Sequence, residues 1–186
     1  MSKKQMRYLT RPQIEDEVTA LLDKHEIRSA PVPVELIARV EGLPIVETDM
    51  DDDISGALIR NGDLKGIAVN ATQAPVRKRF TIAHELGHYI LDHVDNDHLD
   101  WQFTVIRRDG RSSEAEDFQE IAANFFAASL LMPKHFLRED VEQSKRFNGE
   151  FRIEDTDVQF LARKYNVSEA AMRYRLQNLG FMRWAY

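Results

Sequence analysis

Apolar residues recur along this chain with two different periods, and each change of period marks an element. Ile14, Val18, Leu21 and Leu22 fall at helical spacing, and Val34, Leu36, Ile37 and Val40 repeat it after Pro33. Gly42 then stands where a helix C-terminus favours glycine. Leu43–Glu47, Ser55–Arg60 and Lys65–Asn70 read as short strands, the last two joined as a hairpin through Asn61-Gly62. The acidic run Asp49–Asp53 lacks the ligand spacing of a calcium loop and reads as a solvated loop. A long helix follows, entered through Thr72 and Pro75, with the stripe Val76, Phe80, Ala83, Gly87, Ile90 and Leu91. A glycine inside such a stripe costs about 1 kcal/mol against alanine. Close approach by another element at Gly87 is therefore expected.

Residues 94–113 are polar, with Trp101–Ile106 a candidate strand and Asp109-Gly110 a turn. A second buried helix is expected over about Asp117–Met132, ended by Pro133. From about 136 the character changes. Asp155 or Thr156 caps a helix bearing Val158, Leu161 and Ala162. Asn166-Val167-Ser168 then turns into another with Ala171, Met172 and Leu176, stopped near Gly180. Two short helices on a tight turn make a helix-turn-helix-like pair. The pattern predicts an α+β domain over 1–135, with a small antiparallel or mixed sheet and a long helix. A C-terminal helical extension over 136–186 packs on it.

Composition narrows the chemistry more than the fold. Hydrophobic residues are 43% and charged residues 30%, an ordinary globular balance. No apolar run approaches the roughly 18 residues that span a bilayer. The opening Met-Ser-Lys-Lys-Gln is not followed by an apolar segment, so no signal peptide and a cytoplasmic location are expected. There is no cysteine, which removes thiol nucleophiles and thiolate metal ligands. A net charge of −6 argues against a chain that coats nucleic acid. Residues 151–186 hold six Lys/Arg and four Asp/Glu, a net of +2. That excess is too slight to assign DNA binding to the C-terminal helices, and a packing role is expected for them.

Against this background His84-Glu85-Leu86-Gly87-His88 stands out. Positions i and i+4 of a helix lie about 40° apart, so both imidazoles can reach one metal ion. Glu85 between them supplies a carboxylate able to take a proton from an activated water. A surface helix that happens to carry two histidines is the plain alternative, and a third ligand decides against it. Glu120 and Asn124 share a face of the second helix, which also carries Ala122, Ala123, Phe125, Phe126, Ala127, Leu130 and Leu131. Polar groups on so apolar a helix need partners: Glu120 suits a ligand, and Asn124 a hydrogen bond to one. Glu114, Glu116 and Asp117 are competitors nearer the helix start, where capping accounts for an acid. His93, nine residues from His84, falls about 180° round the helix and reads as a terminal or surface histidine. Tyr89 points to the other side, and His25, His98 and His135 carry no ligand spacing. The 94–113 stretch is a candidate flap beside this site.

Three segments together resemble the ImmA/IrrE family of metallopeptidases. They are Arg79–His88, Arg108–Ser113 and Glu120–Pro133, supported by Val32–Val46 and Val167–Gly180. The resemblance implies a minimal zincin-like fold in which His84, His88 and Glu120 hold one zinc or other divalent ion and Glu85 is catalytic. Many members carry Glu two residues before the Asn. This chain has Ala122 there, which narrows the third ligand to Glu120. The family implies an endopeptidase acting on a helix-turn-helix repressor, releasing stress-response, phage or mobile-element genes. An extended substrate would add to a sheet edge, with Lys65–Asn70 the candidate strand. The rival reading is a non-proteolytic regulator that sequesters a DNA-binding partner around a structural or vestigial metal site.

Overall fold

The structure is a computed structural model that describes residues 9–61, 64–92, 98–101, 114–148 and 153–182. Gly62 of the expected hairpin turn, His93, and residues 102–113 with the candidate flap and Asp109-Gly110 lie outside them. Helices α1 (Arg11–Lys24) and α2 (Val34–Val40) lead into strands β1 (Ile45–Thr48), β2 (Ile54–Asn61) and β3 (Leu64–Asn70). Helix α3 (Pro75–Ile90), strand β4 (His98–Trp101) and helix α4 (Glu114–Leu131) follow. Helices α5 (Lys134–Asn148), α6 (Asp155–Tyr165) and α7 (Glu169–Asn178) complete the described elements. The architecture is α+β, as expected.

Local chemistry explains most of the boundaries. The Gln13 carboxamide oxygen accepts from the Thr10 N–H at 2.8 Å, closing the first turn of α1. Gly42 follows α2 in the left-handed region at φ 82°. Asn70 ends β3: its Nδ2 donates to the Ile54 carbonyl at 2.9 Å and its Oδ1 accepts from the Thr72 N–H at 3.1 Å. Thr72 is thus engaged with Asn70, and Ala74 rather than Thr72 precedes the first turn of α3, with Pro75 in it. Glu154 caps α6, ahead of both Asp155 and Thr156, the two expected caps. Ser168 caps α7, its Oγ accepting from the Ala171 N–H at 3.2 Å. Helix α5 is an addition to the expected elements; Phe136, Leu137 and Val141 bury its inner face.

The four described strands order as β1-β3-β2-β4, with β1 parallel to β3 and the other pairs antiparallel. Strand β3 is therefore interior. The expectation that Lys65–Asn70 offers a free edge is wrong, because its N–H and C=O groups are already shared with β1 and β2. Helix α3 packs on β2 and β3, and α4 packs on α3. Gly56 in β2 permits the first contact, since a Cβ there would lie 2.5 Å from Thr81 Cγ2 and 2.7 Å from the Ala68 carbonyl oxygen. Among the described residues an apolar cluster runs from Ile14 and Val18 through Leu58, Val69, Leu86 and Phe126 to Met172 and Leu176, so it joins the seven described helices to the sheet.

Two buried arginines bind the C-terminal helices to this body. Arg79 on α3 pairs with Glu35 at 3.1 Å and donates to the Val32 carbonyl at 2.8 Å and the Asn166 carbonyl at 3.3 Å. Arg175 on α7 donates to the Met132 carbonyl at 3.0 Å and pairs with Glu15 at 2.8 Å. Burial lowers the Arg175 pKa while Glu15 opposes that shift. Removing an acidic partner from such a buried cation is costly, because the charge is left without compensation.

A smaller polar cluster ties α1 to α2. Lys24 and His25 reach Glu41 at 2.7 and 2.6 Å. Burial pushes the Glu41 carboxyl up, but the hydrogen bonds and charges of Lys24 and His25 outweigh it, and the group titrates below its ordinary range. A lowered carboxylate pKa stabilises the fold fully above the ordinary range, and the contribution is lost as pH falls through the lowered value. Glu41→Gln should therefore lower the thermal midpoint at neutral pH, with the gap to wild type closing in acid. Melting curves across the acid range check this; a gap independent of pH would refute it.

Candidate metal centre

Helix α3 carries both histidines because its stripe faces inward along its whole second half. Every residue from Thr81 to His88 is buried, and His84, Glu85 and His88 are each 0% exposed. Such burial requires polar partners. Helix α4 supplies them. Gly87 sets the separation: a Cβ there would meet Phe126 Cδ1 at 3.0 Å and the Ala123 carbonyl oxygen at 3.3 Å. The close approach expected at this glycine is observed, and α4 is the element that makes it.

At this separation the half-buried Glu120 carboxylate meets both rings. Glu120 Oε2 lies 3.3 Å from His84 Nε2, and Oε1 lies 3.2 Å from His88 Nε2. The two Nε2 atoms are 3.0 Å apart. Ligand bonds of about 2.0–2.1 Å in a tetrahedral zinc site place the donors about 3.3–3.4 Å from one another. The observed separations fall within a few tenths of an ångström of that, so the donor set fits one small divalent ion. Among the described residues, His84, His88 and Glu120 form the cluster able to hold a metal. Asn124, one turn beyond Glu120, has its Oδ1 3.1 Å from His84 Nδ1. An Nδ1–H donating to that oxygen leaves Nε2 as the lone-pair face.

His25 and His135 sit elsewhere. His25 bonds Glu41, and His135 packs edge-on against Phe136 with ring centroids 4.3 Å apart. Tyr89 turns toward the sheet, where Arg60 and Lys65 each lie 5.4 Å from its ring centroid. Sequence reasoning did not single out Arg79, which braces α3 five residues before His84. An arginine on the buried side of an amphipathic helix was the available clue, by the same logic that selected Glu120 and Asn124.

A family model, the IrrE N-terminal-like domain of the M78 peptidases, matches residues 38–177. The chain belongs to this family. The match covers the described strands, the metal cluster and most of the C-terminal helical pair. Within the ImmA/IrrE family, the radiation response metalloprotease IrrE of Deinococcus radiodurans is 33% identical over 110 residues, which cover 59% of this chain and 30% of that protein. A solved structure of a Mycobacterium tuberculosis transcriptional regulator superposes with a TM-score of 0.59 at 18% identity. It covers 89% of this chain and 46% of that one, and it attests to the fold. The chain thus spans less than half the length of either relative.

Two substitutions probe the geometry. Asn124→Ala should weaken zinc binding by about 10–100-fold, the usual effect of removing a hydrogen bond to a ligand histidine. Gly87→Ala should weaken it as well, because buried Phe126 and the α4 backbone must move and carry Glu120 with them. Calorimetric titration of zinc checks both. Unchanged affinity in the two variants would show that this contact does not set the donor positions.

Proposed function

We propose that the protein is a metal-dependent endopeptidase that cuts a helix-turn-helix transcriptional repressor and so releases stress-response, phage or mobile-element genes. The observation that carries the reading is the convergence of His84, His88 and Glu120 with a buried carboxylate, Glu85, next to the first of them. The family and the IrrE metalloprotease supply the peptidase class, and a regulatory role follows from that kinship. In this reading residues 1–135 form a minimal zincin-like peptidase unit, and 136–186 are a helical extension packed on it, its last two helices resembling a helix-turn-helix pair. No described helix is long and apolar enough to cross a membrane, in keeping with a repressor met in the cytoplasm.

His84, His88 and Glu120 would hold the ion, which we take to be zinc. When bound, zinc supplies Lewis acidity toward a peptide carbonyl and toward water. Glu85 acts as general base and then as general acid: it takes the proton of the attacking water as the C–O bond forms, and returns it to the departing amine as the peptide C–N bond then breaks. Asn124 fixes the His84 ring through Nδ1. The low polarity around these groups strengthens each electrostatic interaction among them. An extended substrate cannot pair with interior β3; β1 and β4 are the outer strands among those described.

The test pairs the zinc-loaded protein with each helix-turn-helix protein encoded beside it and reads intact fragment masses. Wild type should give two complementary fragments. Glu85→Gln should slow their appearance by on the order of 10²–10⁴, the ordinary contribution of a general base, while still binding zinc. Relief of repression by Glu85→Gln without fragments would favour sequestration over cutting.

A further inference from the structure

A cleft of about 480 Å³ opens between α3, α4 and α7, beside the metal centre. Its walls are Phe80 on α3, Ile121, Phe125 and Ala128 on α4, and Ala171 and Tyr174 on α7. We propose that this cleft receives an apolar segment of the polypeptide cut at the metal centre, one with large aliphatic side chains and a carboxylate at its margin. In this assignment α7 is a protein-reading wall of the peptidase. The inference rests on the peptidase reading and adds to it where the substrate is gripped and by which chemistry.

Continuity with the metal centre is the first argument. Asn124 lines the cleft and also bonds His84, so one side chain belongs to both. Phe80 stands one turn before His84 on α3, and Ile121 is adjacent in sequence to Glu120. The cleft therefore adjoins the site through Asn124, and a chain held at the metal can continue into it. The volume falls inside the roughly 300–1,000 Å³ range of pockets that enclose ligands.

The lining chemistry then names the occupant. Ile121 is 57% exposed and Tyr174 52% exposed, large side chains whose apolar surface gains by being covered. Arg11, Arg77 and Arg175 line the cleft, and among the described residues no Asp or Glu does. In a chain of net charge −6 this is a local reversal of sign. Arg175 is matched by Glu15, whereas Arg11 lies on the Phe125 ring at 5.4 Å from its centroid, at an exposed position. A carboxylate on the bound segment complements that rim.

Helix α7 divides its surface accordingly. Met172 and Leu176 are buried in the core, while Ala171, Tyr174 and Asn178, at helical spacing, face the cleft. A helix that reads DNA presents polar and basic groups to the duplex. Ala171 and Tyr174 suit apolar side chains.

The test uses the isotope-labelled full chain carrying Glu85→Gln and two probe peptides, acetyl-Leu-Leu-Asp-Leu-amide and acetyl-Ser-Ser-Asp-Ser-amide. Saturable amide shifts are expected at Ala128, Ala171 and Tyr174 with the leucine peptide. Binding of the serine peptide should be at least about tenfold weaker, the equivalent of one aliphatic side chain left unburied. Exchanging Asp for Lys in the leucine peptide should weaken binding. Ala171→Trp, which fills the cleft, and Ile121→Asp, at an exposed position, should each abolish the shifts while the spectrum keeps the dispersion of the folded chain. Equal responses to the leucine and serine peptides, shifts confined to other elements, or α7 shifts produced instead by duplex DNA would overturn the proposal. Failure of the peptidase reading looks different: the leucine peptide binds as described, yet wild type cuts no helix-turn-helix protein. Conversely, cutting by Ala171→Trp with unchanged kcat/KM would refute the cleft alone.

Discussion

The approach of α4 to α3 at Gly87 governs everything this molecule presents for chemistry. With hydrogen in place of a side chain, the Ala123 carbonyl and the Phe126 ring press against the helix that carries both histidines. That distance brings Glu120 within 3.3 Å of His84 and 3.2 Å of His88. Gly56 makes the matching contact below, where α3 lies on the sheet. The histidine helix is thus clamped between two surfaces, each admitted by the absence of a Cβ. Close-packed interiors transmit small displacements, so donor geometry is a property of this layered packing.

Buried charge completes the frame. Arg79 joins α3 to the start of α2 and to the carbonyl that ends α6, and Arg175 joins α7 to α1 and to the end of α4. Each guanidinium spreads several fixed donors over acceptors from separate elements, which a lysine's single ammonium cannot match. Tyr165 adds a third tie, its hydroxyl donating to Asp140 at 2.8 Å, with burial and that acid holding its proton firmly. The C-terminal pair is consequently fastened to both walls of the metal site.

Much of this was legible along the chain because period and capping are local. The helix of His84 and His88, strands β1, β2 and β3, and α7 fall close to their expected positions, since each depends on neighbours a few residues away. Glu120 and Asn124 were legible for a different reason: polar groups on an apolar helix demand partners. Strand order was not legible. Lys65–Asn70 reads as a strand whether interior or outer, and only pairing with β1 and β2 makes it interior. Helix α5 stayed hidden because few apolar residues interrupt its charged stretch. The cleft is invisible in principle, being assembled from α1, α3, α4 and α7, whose lining residues run from Arg11 to Asn178.

The arrangement of the three donors also links metal to folding. Two of them lie on adjacent turns of one helix, while Glu120 is 32 residues beyond His88. In an unfolded chain, closing that interval costs about 3 kcal/mol in its length-dependent part, a cost already met when α4 docks on α3. An ion held by this set would discriminate between the two states. It would find a weak bidentate pair on the open chain and a three-point socket on the closed one, and so would favour the closed chain by mass action. A cell's available metal would then act as a thermodynamic ballast on this fold, set by a single interhelical contact.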